Sequence, residues 1–117
     1  TASLGDKLLI AGDNLFSSSL ERLRRGIAEK AANAIVIKPN QIGTLTETVE
    51  CAKLAQRQNY QLVISHRAGE TNDDFIADLA VALCAQYLKA GSLSRGERVA
   101  KYNRLTEIAA IMAASRK

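Results

Sequence analysis

Five ionisable side chains stand where apolar, strand-like runs end. Asp13 closes LLIAGDN, Lys38 closes AIVIKPN, His66 and Arg67 follow Leu62–Ile64 in QLVISHRAGET, and Lys89 lies in YLKAGS. His66 is the only histidine in the chain. The guanidinium fork of Arg67 suits a carboxylate or a phosphate. Lys38 directly follows three apolar β-branched residues, Ile35, Val36 and Ile37. A partly buried lysine with a lowered pKa suits a base. One carboxylate with four basic groups describes a pocket for an anionic substrate, with a metal at Asp13. Taken singly, four of the five have a plainer reading. Asp13 reads as a turn residue, Lys38 and Lys89 as loop lysines, and His66 as a satisfied structural histidine. Together, four strand ends each deliver an ionisable group to one rim, which is harder to read as surface decoration. In parallel α/β folds that rim is where ligands bind.

The elements that must position these residues form a repeat. Leu8–Ala11, Ile35–Ile37 and Leu62–Ile64 are apolar runs without clean alternation, as expected of parallel strands covered on both faces, and a weaker run lies around Tyr87–Leu88. Helix starts follow them. Ser18 with Glu21, Thr44 with Glu47, and Ser94 with Glu97 fit the capping box, and Thr71 with Asp74 is a looser version. Leu20, Leu23, Ile27 and Ala31 share one helical face; Leu45, Val49 and Ala52 share another. Phe75 to Cys84 is apolar nearly all round, which predicts the most buried helix. Val99, Tyr102, Leu105, Ile108 and Met112 give the last helix an apolar side. Gly26 interrupts the first helix at modest cost, and Pro39, the only proline, sits just past the second strand, where a missing N–H is tolerable. The fold class is therefore α/β: four consecutive βα units with parallel strands and right-handed crossovers. A small doubly wound sheet and half of a (β/α)8 barrel both satisfy this, since a full barrel needs about 250 residues.

Composition narrows the class. The chain has 117 residues, 47% hydrophobic and 24% charged, enough for one domain with a core or for part of a larger one. No apolar run is long enough to span a bilayer, and TASLGDK does not open as a signal peptide. The expectation is a cytoplasmic protein with no membrane partner. Net charge is +4. The ERLRRG cluster at 21–26 reads as a solvated helix face, and 4% aromatic residues give no stacking platform, so no nucleic acid partner is expected. Cys51 and Cys84 have neither C-x-x-C nor Cys/His metal spacing and read as buried free thiols.

IKPNQIGTLTET at 37–48 resembles the lysine-bearing strand and loop of enolases, the phosphopyruvate hydratases of glycolysis. SHRAGET at 65–71 resembles their His-Arg loop, and FIADLAVAL at 75–83 and SRGERVAKYNRL at 94–105 resemble the helices that follow. The likeness runs from about Gly5 to Leu105. It implies that residues 1–117 are a single partial domain, the C-terminal half of an enolase-type (β/α)8 barrel, without the N-terminal domain and the first barrel half. It also implies a lyase that reversibly dehydrates 2-phosphoglycerate to phosphoenolpyruvate with Mg2+. By position, Lys38 would be the catalytic base and Asp13 one metal ligand. His66 would line the substrate pocket, Arg67 would hold the phosphate, and Lys89 the substrate carboxylate. A lysine base with Mg2+ stabilising an ene-diolate is the pattern of that superfamily.

The chain departs from the family pattern at several places. Ala68 stands where Ser is usual, Asn14 where the second Asp of a pair is usual, and Ala90 replaces a Thr beside the rim lysine; Glu107 reverses a charge. The family's other two metal carboxylates and its proton donor lie on earlier strands. One carboxylate is a poor Mg2+ site by itself. The expectation is a fragment of an enolase-type lyase, inactive alone. The alternative is a non-catalytic scaffold or interaction domain. An open half-barrel leaves strand edges and an inner face uncovered, so a partner is implied: a second copy in a homo-oligomer, or the complementing N-terminal half. A phosphate-binding sensor is a third reading.

Overall fold

The computed structural model describes residues 1–115. Its order is β1 (Ala11–Gly12), α1 (Leu20–Ala28), β2 (Ala34–Ile37), α2 (Pro39–Ile42), α3 (Leu45–Arg57), β3 (Gln61–Ser65), α4 (Phe75–Ala82), β4 (Tyr87–Lys89) and α5 (Gly96–Ala114). The four strands form one parallel sheet in the order β1-β2-β3-β4. Sequential order in a parallel sheet with uniformly right-handed crossovers puts the connecting helices on one face.

Burial agrees with that arrangement. Ile35, Ile37, Leu62 and Ile64 point the same way and join Phe16 and Leu23, Cys51, Ala52 and Ala55 of α3, and Leu79 and Ala80 of α4 in one core. On the opposite face Ala34 and Val36 are buried, but Val63 is only half-buried and Gln61 and Tyr87 are exposed. The expectation of cover on both faces therefore holds for β2 but not for β3 and β4, whose far face is partly open. The Ile35–Ile37 run lacks alternation because β2, one of the two inner strands, is buried along its whole length.

The helix starts depend on which hydroxyl is free to cap. Thr44 accepts from the Glu47 N–H at 3.2 Å and donates its hydroxyl to the Glu47 carboxylate at 2.6 Å, so α3 begins at the expected cap. α1 is instead capped by Ser19, one residue later than the pattern indicates. Ser18 is unavailable: it is buried, in the left-handed region at φ 54°, and its hydroxyl accepts from the Lys38 N–H and donates to Gln41. α4 is preceded by Asp73, whose carboxylate takes the Phe75 N–H, rather than by a Thr71–Asp74 pair. α5 starts after Arg95, because the Ser94 hydroxyl is turned to Ser92. Pro39 occupies the first turn of α2, where its missing N–H costs nothing.

Three further expectations are corrected. The first strand shifts from Leu8–Ala11 to Ala11–Gly12, since the Asn33 side chain takes the Ile10 N–H at 2.6 Å and leaves Leu8 and Leu9 exposed. Cys84 is exposed, in a left-handed turn at φ 50°; only Cys51 is buried, and burial pushes its thiol up to about 11. On α5 the buried residues are Arg98 and Lys101, not Val99 and Tyr102, which are half-buried. α5 also docks on α4 through a two-pronged pair of Arg104 with Asp78, at 2.9 and 2.8 Å.

Candidate functional site

Each strand ends in a charged tip because the alternation that sends Ile35 and Ile37 into the core sends Lys38 to the other face. The register, with Gly12 opposite Ile35, Ile37 opposite Ile64 and Ser65 opposite Lys89, brings the tips within a few residues of one level. Asp13, one residue beyond β1, is the hub. The Lys38 ammonium bonds to its Oδ1, and Lys89 Nζ lies 3.5 Å from its Oδ2. The Asp13 side chain is 34% exposed and that of Lys38 13%. Burial alone would raise the Asp13 pKa, but the bond and charge of Lys38, together with Lys89, outweigh it and hold the carboxyl below its ordinary value.

His66 and Arg67 follow β3 and are bound into the same rim. The His66 backbone N–H donates to the Lys89 carbonyl at 2.9 Å, and His66 Nδ1 lies 2.6 Å from that oxygen. A carbonyl oxygen only accepts, so Nδ1 carries the proton and Nε2 is left as the free ring nitrogen. Arg67 Nη1 donates to Asn40 Oδ1 at 2.9 Å, tying the segment after β3 to α2. All five ionisable residues singled out in the sequence therefore meet on one rim, with Asp13, Lys38 and Lys89 in direct contact.

Other residues support the rim, although the motifs that hold them give no sign of that role. Ser18 holds the Lys38 N–H at 3.0 Å. Glu70 accepts the Arg67 N–H at 2.8 Å, and Arg98 donates to the Arg67 and Ala68 carbonyls at 2.9 and 2.8 Å. A usable signal exists for Arg98 and Lys101. Extending the Leu105, Ile108, Met112 stripe backwards at 3–4 spacing reaches both, so they share its face.

Asp13 is the single carboxylate at the centre of the rim, and ammonium groups take both of its oxygens. Among the described residues no group of three or more His, Cys, Asp or Glu could hold a metal. The residues present do not by themselves fit a Mg2+ ion, which needs oxygen ligands in an octahedral set.

A parallel sheet in sequential order, helices on one face and a charged rim at the strand carboxyl ends define an α/β protein of the barrel class. Comparison with known proteins makes this specific. The family described as "Enolase, C-terminal TIM barrel domain" matches residues 1–117, and the chain belongs to it. The enolase of Campylobacter jejuni subsp. jejuni serotype O:23/36 is 57% identical over 108 residues, covering 92% of this chain and 26% of the relative. That of Campylobacter lari is 55% identical over the same span. The chain thus spans about a quarter of the length of these curated relatives.

Proposed function

We propose that this chain carries the substrate-binding rim of an enolase-type lyase, which interconverts 2-phosphoglycerate and phosphoenolpyruvate, and that alone it binds such an anion without turning it over. The observation that carries the reading is the joining of Asp13, Lys38 and Lys89 on a rim that also includes His66 and Arg67, in a member of the enolase barrel family. In this reading Lys38 is the base that removes the proton beside the substrate carboxylate. Arg67 holds the phosphate, His66 lines the pocket through Nε2, and Lys89 faces the substrate carboxylate. Concentrated positive charge on the rim stabilises the charge that develops when the proton leaves.

Two features support inactivity of the chain alone. The Lys38 side-chain nitrogen is engaged by Asp13 Oδ1, so base function requires that contact to be loosened. Asp13 would supply one ligand of a Mg2+ site completed by carboxylates from outside this chain, and the reaction also needs an acid for the departing hydroxide. Glu70, in the loop after β3, is paired with Lys101. The proposed setting is the cytoplasm. No helix among the described residues is long and apolar enough to cross a membrane.

A second reading, a scaffold that pairs with another copy or with a complementing barrel half, is favoured by the helix-free sheet face, where Tyr87 is 47% exposed. A solution mass above one chain would support it.

The functional reading is tested by assaying the purified chain for dehydration of 2-phosphoglycerate with Mg2+, beside Lys38→Ala. No turnover is expected from either. Turnover by the chain that disappears in Lys38→Ala would overturn the inactive-alone reading.

A further inference from the structure

The Lys101 side chain is 1% exposed, and its ammonium has three partners: the Thr71 carbonyl at 2.7 Å, the Glu97 carbonyl at 2.7 Å and Glu70 Oε2 at 2.8 Å. An ammonium has three protons to donate. All are engaged, so Lys101 has none left for a ligand. Its partner Glu70 uses the other oxygen, Oε1, to accept the Arg67 N–H at 2.8 Å. Arg98, also on α5 and 9% exposed, donates to the Arg67 carbonyl at 2.9 Å and the Ala68 carbonyl at 2.8 Å. The backbone of Arg67 is thus gripped on both sides, by Glu70 at its N–H and by Arg98 at its C=O. Every one of these bonds involves a charged group, the stronger kind of hydrogen bond. The loop needs such help. Gly69 has open space around it, and Ala68 and Gly69 are exposed.

Burying charges is a poor way to gain stability, since an apolar contact of similar volume often does as well or better. Geometry is what a charged clamp adds. We propose that Glu70, Lys101 and Arg98 are positioning residues: from α5, Arg98 holds the Arg67 carbonyl directly and Lys101 holds the loop carboxylate of Glu70 on the Arg67 N–H, fixing that backbone so that the Arg67 guanidinium is held ready for an anion on the rim. The inference rests on the reading of Arg67 as the anion-binding group. It adds that α5, which carries none of the rim residues, sets the affinity.

The test is a titration of the isotope-labelled chain with inorganic phosphate, followed in NMR by the backbone amide signals of Lys38, His66 and Lys89, which every variant retains, well below the melting temperature of every variant. Wild type is compared with Lys101→Met, Glu70→Gln and Arg67→Ala. Leu105→Ala serves as a control that loosens α5 packing without touching the clamp. Loss of one charged hydrogen bond is expected to weaken phosphate binding at least about fivefold in Lys101→Met and Glu70→Gln. Leu105→Ala should lower the melting temperature and leave the affinity unchanged. If Lys101→Met does not fold, the near-isosteric Glu70→Gln carries the test. Unchanged affinity in the folded clamp variants, with binding abolished by Arg67→Ala, would overturn the positioning role alone, as would an equal loss in Leu105→Ala. Binding that survives Arg67→Ala, or no binding by wild type, would instead overturn the site reading and this inference with it.

Discussion

Asp13 and His66 have the most constrained chemistry of the rim residues. Asp13 is shared by two ammonium groups, and His66 is fixed by a carbonyl that can only accept. We predict that nitrogen NMR at neutral or higher pH finds His66 in the Nδ1–H tautomer; an Nε2–H ring would contradict the contact with Lys89. The rim residues themselves were visible in the sequence because strand periodicity ends abruptly in charge at Asp13, Lys38, His66–Arg67 and Lys89. Their support was not. Ser18 looks like a helix cap, and only its left-handed backbone and the approach of Lys38 turn it to another use. Lys101 looks like a solvated helix lysine until α4, α5 and the loop after β3 close around it. Charge type predicts exposure only when no partner is folded against the site.

At the scale of elements, the packing of α1 against β1 turns on one ring. Phe16 is fully buried and lies between two glycines: a Cβ at Gly12 would come within 2.3 Å of its Cε2, and one at Gly26 within 2.2 Å of its Cε1. Sequence reading treats Gly26 as a mild helix defect, which implies that Gly26→Ala would stabilise by about 1 kcal/mol. The structure reverses the sign. The ring has no room to retreat, because Gly12 already meets its far side and Tyr60 lies 6.2 Å away, centroid to centroid. Overpacking of this kind costs about 1–3 kcal/mol. Gly26→Ala should therefore lower the urea midpoint of unfolding, and a raised midpoint would show that propensity wins. The helices and strands were legible because their periodicities are local. The two-residue β1 was displaced because Asn33, far along the chain, supplies the hydrogen bond at Ile10 that a longer strand would have made.

For the whole molecule, the sequential parallel sheet was legible from the βα repeat, whereas the one-sided cover was not, since apolar runs look alike whether helices or neighbouring strands bury them. The charged contacts between elements also set an acid limit on stability. Burial alone would raise the Glu70 pKa, but the Arg67 N–H and the Lys101 ammonium outweigh it and hold the carboxyl below its ordinary 4.5. A carboxyl depressed in the folded state contributes stability that is complete above its unfolded value and is lost as pH falls through its folded value. Asp13 and Asp78 are depressed too and act in the same direction. Urea midpoints measured from roughly pH 6 to roughly pH 3 should therefore fall less steeply in Glu70→Gln than in wild type below the ordinary carboxyl range. Parallel curves would mean that the Glu70 pair adds nothing.

The central claim is that Asp13, Lys38, His66, Arg67 and Lys89 form one anion-binding rim. Calorimetric titration of 2-phosphoglycerate into the wild-type chain and into Arg67→Ala tests it most directly. The account predicts saturable one-to-one binding by wild type that Arg67→Ala abolishes while remaining folded. No saturable binding by wild type, or binding that Arg67→Ala leaves intact, would contradict it.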